Sequence, residues 1–230
     1  LSADRKLTLQ DDVDYFNISR LFTCFPELEP RSSNVQELVL VTIGDYALRI
    51  WNGSTRKLIA SIIDKSFSST TACAMDHDII AIQHEITVNL WSISKKARTG
   101  TIPCGGKVFS MIRVDHETLA VSDTNDVTLW NVNTLKPTST IRTGSIEPIG
   151  TLGRGLLIWQ NTSSSIIVYD TILMKEVTRM ETKSRNRVYC AMDDDIFVSG
   201  GPSSMDLWSL KSSLHLGTFA NATASCLRKV

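Results

Sequence analysis

The stretch Val127-Thr128-Leu129-Trp130 recurs with substitutions at four other places: Leu48-Arg49-Ile50-Trp51, Val88-Asn89-Leu90-Trp91, Ile166-Ile167-Val168-Tyr169 and Met205-Asp206-Leu207-Trp208. In every copy apolar side chains stand three and one residues before the aromatic, the period of two of a strand with one buried face. Trp51, Trp91 and Trp130 are spaced by 40 and 39 residues, Trp208 follows after twice 39, and Tyr169 fills the intermediate mark. A fixed period of this length is the signature of a repeat architecture.

Further columns align on the same ruler. Eleven residues before the aromatic stand Leu40, Ile80, Leu119, Ile158 and Phe197; eleven after it stand Ile62, Ile102, Ile141, Met180 and Phe219. Two residues ahead of the second column the residue is small or short: Ala60, Gly100, Ser139, Thr178 and Gly217. Each unit predicts four short strands. In the third unit they are expected near 108–114, 119–122, 127–132 and 138–142, with turns at Asp115-His116-Glu117 and Asp123-Thr124-Asn125. The first turn recurs as Met75-Asp76-His77-Asp78 and Met192-Asp193-Asp194-Asp195, where short acidic side chains suit turn backbone, and as Gly153-Arg154-Gly155.

Composition sets the outer bounds. The 230 residues are 42% hydrophobic and 21% charged, enough apolar surface to offset the entropy of ordering the chain. No apolar run approaches the roughly 18–20 residues of a membrane-spanning helix, so no membrane association is expected. With 24 Lys+Arg against 24 Asp+Glu the net charge is zero, which gives no general attraction to nucleic acid. The chain starts at Leu1 without a signal-type stretch, so an excised piece of an intracellular protein, cytoplasmic or nuclear, is expected.

Four strands in a unit of about 40 residues, with an aromatic closing the third, resembles the WD40-repeat family of β-propellers. The resemblance covers roughly residues 16–223 and implies an all-β, WD40-like β-propeller with five four-stranded blades, at 16–66, 67–106, 107–144, 145–184 and 185–223. Residues 1–15, with Lys6–Gln10, would hold the fourth strand of a preceding blade, and 224–230 the start of a further one. An open ring exposes strand edges, so further sequence or a partner is expected to complete about six or seven blades.

The family's aromatic-Asp dipeptide stands only at Tyr169-Asp170; the others read Trp51-Asn52, Trp91-Ser92, Trp130-Asn131 and Trp208-Ser209. There is no Gly-His pair, and the family's turn Asp is present as Asp45 alone, with Glu85 as a partial substitute. The associated hydrogen-bond network is therefore not expected, and apolar packing should hold the blades. The acidic first turns and Val188-Tyr189-Cys190 resemble F-box-type substrate receptors of ubiquitin ligases, although F-box helices are not present in this chain.

Cysteine placement fits an intracellular chain. Cys24, Cys73, Cys190 and Cys226 fall in one first-strand column, where a thiol packs as a small hydrophobe, while Cys104 lies beside Gly105-Gly106 in a connecting loop, an exposed thiol that is either incidental or reactive. Sequons at Asn17, Asn52, Asn161 and Asn221 are of a kind that arises by chance in Ser/Thr-rich loops.

Catalytic patterns are missing. His77, His84, His116 and His215 have no metal-ligand spacing, and the repeat itself accounts for the matched turns of His77 and His116. Asp193-Asp194-Asp195 lacks the further ligands and the glycine of a calcium loop. Neither a nucleophile elbow nor a phosphate loop occurs. No catalytic residue, metal or cofactor is expected. The leading function is a non-catalytic protein-interaction scaffold or substrate-recognition propeller. The alternative is an enzyme or nucleic-acid-binding propeller whose active or charged surface lies partly outside the chain.

In the family, the loops leaving each fourth strand share a face with the turns between second and third strands, and partners use that face. The resemblance carries this face to the loops 64–69, 104–107, 143–147 and 182–187. Lys183, Arg185 and Arg187, with Arg142 and Lys107 on preceding blades, form its basic group. Arginines there suit bidentate capture of a phosphorylated or acidic peptide; the competing reading is an ordinary solvated basic loop.

Overall fold

The structure, a computed structural model, describes residues 20–24, 39–44, 46–68, 71–76, 78–123, 126–144, 149–161, 164–182, 188–201 and 203–220. Among the described residues twenty strands form five four-stranded sheets, each with its strands in chain order. The first holds β1 (Arg20–Cys24), β2 (Val39–Gly44), β3 (Ala47–Asn52) and β4 (Leu58–Ile63). The second holds β5 (Ala72–Ala74), β6 (Ile79–His84), β7 (Thr87–Ser92) and β8 (Ala97–Pro103). The third holds β9 (Ser110–Arg113), β10 (Thr118–Ser122), β11 (Asp126–Asn131) and β12 (Lys136–Arg142), the four strands the period predicts there. The fourth holds β13 (Gly150–Gly153), β14 (Leu156–Gln160), β15 (Ser165–Asp170) and β16 (Lys175–Glu181). The fifth holds β17 (Val188–Ala191), β18 (Ile196–Gly200), β19 (Ser204–Ser209) and β20 (Leu214–Ala220). The partial strands expected at Lys6–Gln10 and after Ala224 lie outside the described residues. No described helix is long and apolar enough to cross a membrane.

The chain divides into two compact units, one running to His84 and including Asn89–Thr99, the other comprising Glu85–Val88 and the residues from Gly100 onward. The core of the first is built from Val41, Ile43, Leu48 and Ile50 with Phe67, Ile80, Ile82 and Trp91. Phe67 comes from a short 3-10 helix, Lys65–Ser68, in the loop after β4, and its ring meets Trp91 at 4.8 Å between centroids. The second unit holds two clusters. One joins Ala120, Val127, Leu129 and Ile141 to Ile149, Leu157 and Trp159; the other joins Ile158, Ile166, Val168 and Met180 to Phe197 and Trp208. These are the aligned apolar columns, now seen as the inward faces of central strands. The later column breaks at its last member. Ile102, Ile141 and Met180 are buried, but Phe219 is 56% exposed, because β20 is the last described strand and no described side chain covers it.

Two of the third-strand aromatics take part in hydrogen bonding, without a Gly-His pair: Trp51 Nε1 donates to Thr42 Oγ1 at 3.0 Å and Trp208 Nε1 to Ser199 Oγ at 2.9 Å. The residue after the aromatic also keeps its task whatever its type. Asn52, Asn131 and Asp170 accept through Oδ1 from the two backbone N–H groups that follow in the turn, at 2.7–3.1 Å. Ser92 and Ser209 accept through Oγ from Lys95 and Ser212 at 3.1 and 3.2 Å. Any short side-chain acceptor serves here, so loss of the dipeptide in sequence is not loss of the turn. In the four sheets with a recorded third-to-fourth-strand register, the pairing shifts at the aromatic itself.

Candidate interaction surface

At one end of a sheet, the turn between second and third strands lies beside the loop that leaves the fourth. The tie is a backbone hydrogen bond: Asp64 N donates to Tyr46 O at 2.9 Å, Cys104 N to Ile86 O at 3.0 Å and Thr182 N to Ser164 O at 2.9 Å. Tyr46, Glu85 and Ser164 reach positive φ in these turns, which reverses the chain tightly enough for the contact. Turn and loop therefore form one local surface in each of these three sheets.

The loop after β8 shows how a basic side chain is presented. Cys104 and Val108 are both buried, while Gly105 and Lys107 between them are exposed. The two anchors fix the loop and turn Lys107 outward, with Nζ 5.6 Å from the Phe109 ring centroid. Cys104 is thus a correction to its expected exposure. Burial pushes its thiol up to about 11, with the Asp123 carboxylate adding to the rise and a hydrogen bond from the Val88 backbone opposing it. A thiol so desolvated packs as a hydrophobe and is a poor nucleophile. Cys73 and Cys190 of the first-strand column are half-buried, with Sγ 3.6 and 3.5 Å from the carbonyls of Ala74 and Ala191.

Arg142 is the exposed last residue of β12, opposite Asp126 in register. Lys107 precedes β9 and Arg142 ends β12, and these are the two outer strands of one sheet. Three strand spacings of about 4.8 Å separate such edges by roughly 14 Å, so the two cations bracket the end of the sheet rather than pair. Asp123 and Asp126 stand in the turn between, where Asp126 N donates to Asp123 Oδ1 at 3.1 Å. Lys183, Arg185 and Arg187 lie outside the described residues, as do Asp45 and His77.

In the second, third and fifth sheets the opposite ends are occupied by structural carboxylates. Asp76, Asp115 and Asp193 each accept from two backbone N–H groups within their turns at 2.6–2.8 Å. Two residues on, Asp78 and Asp195 accept from the hydroxyls of Ser92 and Ser209 at 2.8 and 3.0 Å, and Glu117 from the Asn131 amide at 3.3 Å. Asp194 instead pairs with Arg154 at 2.8 Å. The three consecutive acids at 193–195 thus have three separate tasks and do not converge. His116 stands 3.6 Å from Glu117 and is highly exposed. Among the described residues no three His, Cys, Asp or Glu side chains are grouped to hold a metal ion.

The pattern search missed the exposed aliphatic side chains at Leu58, Ile59 and Ile63 on β4 and at Ile172 and Leu173 in the turn after β15. Their signal lay in the alignment of the units, because the same positions elsewhere are mostly polar.

No protein-family model matches the chain, and no curated protein matches it in sequence. A crystal structure of RRP9 WD40 repeats is similar, with a TM-score of 0.71 at 13% sequence identity over 92% of this chain. The chain spans 65% of that structure's length. Five four-stranded antiparallel sheets, each with an aromatic in its third strand, thus give this chain the all-β fold of a WD40-like propeller.

Proposed function

We propose that the chain is a non-catalytic protein-binding module that takes an acidic or phosphorylated peptide at the loop ends of its sheets. Lys107, Arg142, Lys183, Arg185 and Arg187 are the proposed contacts. The observation that carries the reading is the loop at 104–108, where buried Cys104 and Val108 flank Lys107 and leave it exposed to solvent. A loop anchored at both sides needs little backbone ordering on binding, which leaves mainly the lysine's own rotamer entropy to offset. Recognition of this kind relies on charge-assisted hydrogen bonds, so it should weaken as salt rises.

Fluorescence polarisation with matched phosphorylated, acidic and neutral peptides tests this. Lys107→Glu and Arg142→Glu should each weaken phosphopeptide binding about tenfold, the effect of losing about 1.4 kcal/mol. Arg154→Glu, at the opposite sheet end, should leave it unchanged. Equal binding of neutral peptides, or indifference to both reversals, would discard the site. Co-purification with ubiquitin-ligase subunits would narrow the role to a substrate receptor; salt-sensitive recovery of RNA or DNA without a protein partner would replace it.

A further inference from the structure

Among the described residues each sheet ends in an outer strand hydrogen-bonded on one side only: β4, β8, β12, β16 and β20. The free side of such a strand is a template for another strand unless side chains discourage it. Three of the five carry charged side chains or proline. β8 has Arg98 and Pro103; β12 has Lys136, Pro137 and Arg142; β16 has Lys175, Glu176, Arg179 and Glu181. β20 has only His215 among exposed Leu214, Leu216 and Phe219. β4, Leu58-Ile59-Ala60-Ser61-Ile62-Ile63, has no charge and no proline.

Burial sharpens the contrast. Eight, ten and twelve residues after the aromatic, every sheet exposes its side chains. These are Thr99, Thr101 and Pro103 on β8, Thr138, Thr140 and Arg142 on β12, Val177, Arg179 and Glu181 on β16, and Leu216, Thr218 and Ala220 on β20, no row with two large aliphatic side chains. On β4 they are Ile59, Ser61 and Ile63, with Ile59 50% and Ile63 82% exposed. The alternate residues Ala60 and Ile62 face the other way and pack against the core of the first unit. Aliphatic side chains so open to water gain from any cover that removes them from it.

The exposed row Ile-Ser-Ile reads the same in both directions. Two antiparallel strands related by a two-fold axis keep like faces together, so residues of the same parity must oppose each other. An axis through Ser61 satisfies this. It sets Ser61 against Ser61 and Ile59 against Ile63 twice on the exposed face, and Ala60 against Ile62 on the other. A foreign strand would need to match this pattern by chance, whereas a second copy matches it by symmetry. We propose that β4 pairs antiparallel with β4 of a second copy of this chain, centred on Ser61, and so joins two first sheets into one continuous sheet.

Position 61 provides a register-specific test. Directly opposed residues of an antiparallel pair have Cα atoms about 4.5–5.5 Å apart, within the span of a disulfide. Ser61→Cys should give a covalent dimer under mild oxidation, mapped by mass spectrometry to 61–61. Thr101→Cys, the matched position on β8, should not. Sedimentation equilibrium of the unaltered chain should show a concentration-dependent dimer that Ile63→Lys weakens at least tenfold. Ile63 is so exposed that the circular-dichroism spectrum of this variant should be unchanged. A chain that stays monomeric at high micromolar concentration, a dimer indifferent to Ile63→Lys, or equal crosslinking at 61 and 101 would each overturn the proposal.

Discussion

The indole N–H of Trp208 on β19 donates to the hydroxyl of Ser199 on β18 at 2.9 Å, and both groups are buried. Trp51 and Thr42 repeat the bond at 3.0 Å with the same nine-residue separation. In the second sheet the matching acceptor position is Ile82, and Trp91 Nε1 has no hydrogen-bond partner among the described residues. Ser199→Ala and Thr42→Val should therefore each cost about 1–3 kcal/mol, the penalty of a stranded buried donor. Ile82→Thr would supply Trp91 with an acceptor, and its gain of about 1 kcal/mol should offset much of the lost apolar packing. Ile80→Thr, equally buried but with no such donor awaiting it, should cost about 1 kcal/mol more. Denaturant unfolding of the two variants decides the matter, and equal losses would refute the inserted bond.

A second set of predictions concerns backbone conformation. Arg56, Lys96, Leu135, Met174 and Ser213 all have φ between 52° and 59°, and each lies five residues after its unit's aromatic. A side chain in the left-handed region costs roughly 1–2 kcal/mol, which exceeds the 0.5–1 kcal/mol of extra entropy that glycine loses on folding. Arg56→Gly and Lys96→Gly should thus stabilise the protein by up to about 1 kcal/mol, or about 2–4 °C in Tm. Leu135→Gly should not. Its Cδ atoms lie 2.9 and 3.0 Å from where a side chain on Gly100 would begin, so that substitution also removes packing. A loss of stability at Arg56 or Lys96 would show the strain to be absent.

The fold was legible because its markers are large and periodic. Trp51, Trp91, Trp130 and Trp208 are buried side chains that only a repeated environment accommodates at such regular intervals. The turns were less legible. Asn52, Ser92, Asn131, Asp170 and Ser209 look unrelated as letters, yet all are short acceptors that bind turn N–H groups. Chemistry was conserved between units where identity was not. Loop residues misled for a different reason: Cys104 and Phe67 stand in connecting segments but point inward, and nothing local distinguishes an anchoring loop side chain from an exposed one. The basic group was read as a set because the family resemblance places the loops of Lys107 and Arg142 on one face. Their separation follows from strand order, with β9 and β12 on opposite edges.

The inward turn of Cys104 has a pH consequence. Its native thiol titrates at about 11, against a reference value of 9.0 for the free group. Between those values the unfolded chain releases the proton and the native one holds it. Stability from this group is therefore intact below pH 9 and declines as pH rises toward 11, by about 2 kcal/mol across the window. Cys104→Ala should flatten that part of the stability profile relative to the unaltered chain. At pH 8 iodoacetamide should modify Cys73 and Cys190 well before Cys104, as read by peptide mapping. Early labelling of Cys104 would mean that the loop opens.

Gly150 begins β13 facing Tyr189 of β17, and the pairing explains why a strand starts with a residue of poor strand propensity. A Cβ at 150 would fall 2.8 Å from Tyr189 Cδ2 and 3.1 Å from both Tyr189 Cβ and Ile158 Cγ2. Ile158 is fully buried, so little can give way on that side. Gly150→Ala should consequently destabilise by about 1–3 kcal/mol through overpacking. Gly105→Ala, with nothing within 4 Å of its added carbon, serves as the control and should change stability little. Truncating the neighbour separates crowding from backbone effects. In Gly150→Ala combined with Tyr189→Ala the loss should be smaller than the sum of the single losses, by a coupling of about 0.5–3 kcal/mol. Strict additivity in that cycle would show that Gly150 is required for its backbone and not for the space it leaves to Tyr189.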